Sequence, residues 1–117
     1  MHDDYVIGYS VDLRRKNLVI KTQDNHTITF HEVLTHSLRC ILEYNQILDI
    51  CESSTKNFII ENKDELMQMK DYCWPIYYQT TKELMDYINK NEYKYVKIYS
   101  SFGMFGWVLA KSYMLDS

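Results

Sequence analysis

Glycine, proline and cysteine are scarce in this chain: three, one and three of 117 residues. So few breakers exclude collagen-like repeats, Gly/Ser linkers and proline-rich segments. The cysteines, at positions 40, 51 and 73, are odd in number and lack a C-x-x-C pair. They fit neither a disulfide framework nor a zinc pattern, and read as small apolar residues in or near a core. No apolar run approaches the roughly 20 residues of a membrane helix. The segment Met1-His2-Asp3-Asp4-Tyr5 has neither the positive start nor the apolar run of a secretory signal, so a cytoplasmic location is expected. Neither sign of charge dominates: 13 basic and 16 acidic residues give a formal net charge of -3. That balance is too mild to mark a nucleic-acid binder. Phosphate-cradling glycine loops and the G-x-S-x-G nucleophile turn are also missing.

What is present is a globular composition, 46% hydrophobic and 25% charged, which excludes intrinsic disorder. The length suits a single domain spanning residues 1–117. Eleven tyrosines are the one marked excess.

The periodicity predicts the elements. Residues 5–13 alternate, with Tyr5, Ile7, Tyr9, Val11 and Leu13 on one side, as a strand with one buried face does. Residues 18–23 and 26–31 are rich in Val, Ile, Thr and Phe around Asp24-Asn25, a pair that tolerates positive φ in a hairpin loop. The first quarter is therefore expected to be a three-stranded meander. Residues 30–44 fit helix and strand equally well, and 46–51 read as a strand. Ser53, Ser54 and Thr55 are N-cap candidates for a helix over about 56–73, with the stripe Ile59, Leu66, Met69 and Cys73 facing the core. Trp74-Pro75 ends it. Thr80-Thr81-Lys82-Glu83 has capping-box spacing and opens a second helix, closed by Asn89-Lys90-Asn91. In 93–100, Tyr93, Tyr95 and Tyr99 share a face with Lys97, while Val96 and Ile98 share the other. Gly103 and Gly106 bound a turn, and 107–113 return as a strand. The order predicts an α+β fold: an antiparallel sheet of about five to six strands, with two helices inserted before a C-terminal hairpin and packed on one face.

Candidate sites are few. His31 and His36 are five apart, whereas a helical zinc pair needs four, so no metal site is assigned. Cys40 lies four from His36, but no third group orients such a pair, so no catalytic residue and no cofactor are expected. An enzyme with a dispersed site on Cys40 or the histidines is one rival reading. Arg14, Arg15, Lys16, Lys21, Lys94, Lys97 and Lys111 beside Tyr93, Tyr95 and Tyr99 suggest a second rival, a small nucleic-acid- or ligand-binding module. Without an RNP motif, lysines that discourage edge pairing explain them more simply. Residues 49–92 carry nine acids against five lysines, net -4, among Tyr72, Trp74, Tyr77, Tyr78 and Tyr87. Aromatic side chains with polar tips suit protein interfaces, and acids beside them steer a basic partner. Glu61, Asp64, Glu65, Asp71, Tyr77 and Tyr78 are therefore the expected partner contacts. A homo-oligomer formed by edge pairing of the C-terminal hairpin is a further expectation left open.

Four stretches occur together: Phe30-His31-Glu32-Val33; Ile47-Leu48-Asp49-Ile50; Tyr72-Cys73-Trp74-Pro75-Ile76; and Tyr93-Lys94-Tyr95 through Ser100-Ser101-Phe102-Gly103 to Gly106-Trp107-Val108-Leu109-Ala110-Lys111. In this order they resemble a group of small bacterial cytoplasmic proteins encoded near polymorphic toxin genes and taken to be immunity proteins. The resemblance spans roughly residues 18–112 and rests on fold-forming Trp, Gly and apolar positions. It implies a non-enzymatic protein that neutralises a cognate toxin domain by direct binding, without membrane contact. It carries over no functional residue.

Overall fold

A computed structural model describes residues 4–39, 46–47, 49–99 and 105–116. In chain order the elements are β1 (Asp4–Asp12), β2 (Asn17–Thr22), β3 (Thr27–Arg39), β4 (Gln46–Ile47), β5 (Asp49–Ser53), α1 (Thr55–Glu61), α2 (Lys63–Met69), a 3-10 turn at Lys70–Tyr72, α3 (Thr81–Lys90), β6 (Lys94–Tyr99) and β7 (Phe105–Asp116). The strands form one antiparallel sheet in the order β4-β1-β2-β3-β7-β6-β5. The α+β class is as the sequence predicts, with seven strands when the two-residue β4 is counted. β4 and β5 lie at opposite ends of that order, yet one residue separates them. Consecutive Cα atoms are about 3.8 Å apart, so the sheet has to curl until its two borders approach.

The long β3–β7 ribbon makes the curl. Its first half (27–31 against 112–116) carries β2 and β1, and its second half (33–39 against 105–110) carries β6 and β5. Between them the register slips at Val33/Thr35, and Glu32 sits at φ 51. A bulge of this kind bends a strand and raises its twist. The inner face then closes on itself, with Leu18, Ile20, Ile28 and Phe30 from one half packed with Val96, Ile98, Val108 and Ala110 from the other. The outer face of the second half carries the helices through Phe58, Leu66, Leu84 and Ile88 against Tyr95, Trp107 and Leu109. β6 divides as its pattern predicts: Tyr95 faces the helices while Val96 and Ile98 face inward.

The ambiguous stretch resolves as strand through Arg39, while residues 40–45 lie outside the described ones. Three other expectations need correction. The helix over 56–73 is broken at Asn62, at φ -113 and ψ 22. Its amide donates both its backbone N–H (3.2 Å) and Nδ2 (3.0 Å) to the Phe58 carbonyl, the local competition through which Asn interrupts helices. Cys51 and Cys73 are exposed rather than packed, because Cys51 is on the border strand and Cys73 takes the left-handed turn, at φ 59, that ends the 3-10 turn. Finally, the apolar row of β1 does not form a buried face. A register shift between Val6 and Gly8 sends Val6 into the inner core and leaves Ile7 outside, 69% exposed. Tyr9 and Val11 sit opposite Ile20 and Leu18 but near the sheet border, where less covers them.

Candidate functional site

The helical layer is built by local signals. The Ser54 side chain accepts from the Asn57 amide (3.1 Å) and starts α1. Thr80 accepts from the Glu83 amide (3.2 Å) and starts α3. Glu83 completes the start by accepting from the Gln79 amide (3.0 Å), one residue earlier than a capping box would have it.

Asn62, between α1 and α2, ties this layer to the sheet. Its Oδ1 accepts from the Trp107 indole (3.1 Å), and its Nδ2 reaches the Tyr95 hydroxyl (3.4 Å). The Tyr95 hydroxyl donates to Glu61 Oε1 (2.8 Å), and the Lys97 amine bridges both oxygens of Glu61 (3.1 and 2.9 Å). Lys97 lies over the Tyr99 ring, 5.3 Å from its centroid. Among the described residues no buried side-chain nitrogen or oxygen lacks a partner. The cluster is therefore a closed network that seats α1 on β6 and β7. It borders a cleft of about 350 Å³ that Glu65, Ser37 and Arg39 also line.

Its charges respond to one another. The Lys97 hydrogen bond holds the Glu61 carboxyl below its ordinary range, with the Tyr95 hydroxyl adding to the effect, and Glu61 in turn raises Lys97. Burial, and then the carboxylate beside it, push Tyr95 up to about 12. The folded chain thus holds the Tyr95 proton more tightly than the unfolded chain, whose tyrosines ionise near pH 10. Stability from this group is complete below about pH 10 and falls as the pH rises towards 12. Glu61 works with the opposite sign: its contribution is present above its ordinary 4.5 and is lost in acid. Denaturant unfolding across alkaline pH should show Tyr95→Phe losing less stability between pH 10 and 12 than the parent. Equal slopes would mean that Tyr95 ionises freely.

The other side of the helical layer is apolar and open. A groove of about 300 Å³ runs between α2 and the chain entering α3, with Ile59, Leu66 and Tyr78 beneath and Met67 at its rim. Beside it lies a second hollow lined by Asp71, Cys73 and Tyr77. Lys70 closes the wall between them by donating to the Gln79 carbonyl (2.7 Å) and lying over the Tyr78 ring. Met67 at the groove and Tyr77 at the second hollow are 69% and 71% exposed, and Tyr72, in the 3-10 turn, is 77% exposed.

The six expected contacts therefore separate. Glu61 and Glu65 line the polar cleft, and Glu61 is already committed to Lys97 and Tyr95. Asp71 and Tyr77 border the second hollow, while Asp64 is exposed in the first turn of α2. Tyr78 is corrected to a core residue: it is buried and its hydroxyl donates to the Leu66 carbonyl (3.3 Å). Adjacent tyrosines point opposite ways here, which composition does not reveal. Met67 was missed because it sits inside a helical pattern and carries no charge.

The tyrosine row of β6 does not form an open stacking platform. Tyr95 is buried, and Tyr93 stacks on Tyr87 with centroids 6.2 Å apart. His31 and His36 fall on either side of the β3 bulge, and burial pulls His36 below its ordinary range. Among the described residues no three His, Cys, Asp or Glu side chains converge as a metal set. Cys40 lies outside the described residues, and so does its pairing with His36. Compared with family models, curated proteins and solved structures, the chain matches none of them.

Proposed function

We propose that this chain is a non-enzymatic protein-binding module, an immunity protein that neutralises a cognate toxin domain by covering it. The observation that carries the reading is the open face of the helical layer. There Met67 lines an apolar groove of about 300 Å³, Tyr77 and Asp71 line the hollow next to it, and Tyr72 stands out from the 3-10 turn of the same segment. Exposed aromatic and methionine side chains around a shallow apolar floor are the anchors that protein interfaces use. Lys63 and Lys70 line the groove itself and Asp71 the hollow next to it, while residues 49–92 as a whole, which hold this face, carry a net charge of -4. The occupant favoured by that charge is a basic protein surface, such as the nucleic-acid cleft of a nuclease toxin.

The test is co-expression with the toxin domain encoded beside this gene. Cells that die with the domain alone are expected to survive with this chain present. Tyr77→Ala is expected to weaken the complex about 10- to 30-fold, mainly through faster dissociation. Asp71→Lys should instead slow association and flatten its dependence on salt. Unrescued killing would overturn the immunity reading. Rescue with unchanged binding by both variants would move the interface elsewhere.

A further inference from the structure

We infer that the free edge of β7 is a homodimer interface, formed by antiparallel pairing with β7 of a second copy. β6 pairs with β7 only from Gly106 to Ala110. Before Lys94 the chain leaves the sheet through Tyr93 and the turn at Asn91 and Glu92, where Glu92 is at φ 60, and enters α3. Among the described residues, β7 from Ser112 to Asp116 therefore pairs with β3 alone. An unpaired strand edge presents a row of amides and carbonyls that template another strand.

The usual protections are thin on this edge. Ser112 to Leu115 carry no charge, proline or glycine. Large apolar side chains stand out on both faces of it, Met114 at 60% and Leu115 at 55% exposure. Their directions follow from the register. Tyr113 and Leu115 pair with Phe30 and Ile28 on the inner face, and Met114 pairs with Thr29 on the outer face. A partner strand of foreign sequence would have to match both faces.

A second copy matches them by symmetry. A two-fold axis through Met114, normal to the sheet, keeps inner face beside inner face. It sets Tyr113 against the partner's Leu115, Met114 against the partner's Met114, and Ser112 against the partner's Asp116. Five residues pair on each strand, with apolar against apolar at the centre and a hydroxyl donor facing a carboxylate at each end. This surface is separate from the groove beside Met67, so dimerisation leaves that groove open.

Sedimentation of the full chain tests this between about 10 μM and about 1 mM, the range in which a small interface fills. The mass should rise from 14.1 kDa towards twice that value. Met114→Lys should remain monomeric with unchanged circular dichroism. Leu13→Lys, on the β1–β2 turn, should dimerise as the parent does. Register has its own test, in a chain whose three cysteines are serine. A short bismaleimide should join Met114→Cys into a dimer but not Ser112→Cys, whose two copies would lie about 13 Å apart along the strands. A monomer throughout, a dimer that Met114→Lys does not split, or equal crosslinking of the two cysteine variants would each overturn the inference.

Discussion

Phe58→Ala is expected to remove about 3–5 kcal/mol of stability, enough to unfold a large share of the chain if its total lies near the low end of the usual 5–15 kcal/mol. Phe58 is fully buried and is the contact through which α1 meets the sheet. Its ring stands edge-on to Tyr95 (centroids 5.2 Å apart) and to Trp107 (5.1 Å). α1 has seven residues, far below the length at which a helix holds itself together in water. Its position is therefore set by this side chain together with Glu61 and Asn62. The change should lower the urea midpoint with little change in slope, because the surface exposed on unfolding is nearly the same. Phe58→Leu keeps most of the volume and should cost less than about half as much. The double variant with Trp107→Ala should be less destabilised than the sum of the single changes, since both empty one contact. A loss of under about 1 kcal/mol for Phe58→Ala would mean that the helical layer is held by something other than this cluster.

The same cluster shows what a sequence can and cannot disclose. Ser54, Thr80 and the alternation of Tyr95, Val96, Lys97 and Ile98 are local devices, settled within a turn or a pleat. They are legible because their partners lie within four residues or on the same strand. Asn62 is not legible in this way. Its break in the helix is stabilised partly by Trp107, 45 positions away. Glu61 reads as an exposed acid until Lys97, 36 positions on, is placed beside it. Tyr77 and Tyr78 share composition and neighbourhood, and only the packing of Leu66 against the chain before α3 separates a surface anchor from a core residue. The β1 row fails for a different reason. Period-two alternation assumes an unbroken pleat, and the shift between Val6 and Gly8 breaks it. The α+β class survived these local errors because strand and helix order depends on many residues at once, whereas a contact surface depends on the direction of each one.

Gly106→Ala is expected to cost about 2–5 kcal/mol, the combined magnitude of a left-handed backbone strain and a steric insertion between strands. Gly106 is at φ 151, a conformation that side chains disfavour. Space is lacking as well. A Cβ there would overlap the Ser37 carbonyl oxygen and come within 3.0 Å of the Leu38 Cα. Both obstacles are backbone atoms of β3, so no side chain can swing aside. Gly106 also pairs with Leu38 on one side and Ile98 on the other, which places any displacement between β3 and β6 at the far end of the second half of the sheet. The strands it would push apart are β3 and β7, and β7 carries Trp107 next to Gly106, so the seating of α1 should loosen together with the sheet. Hydrogen exchange should then show faster amides in both α1 and β7. Gly8→Ala is the control: nothing lies within 4 Å of its Cβ position, and it should change stability by no more than about 1 kcal/mol in either direction. If both variants behaved like the control, β3 and β7 would have to separate at Gly106 more easily than their shared ladder allows.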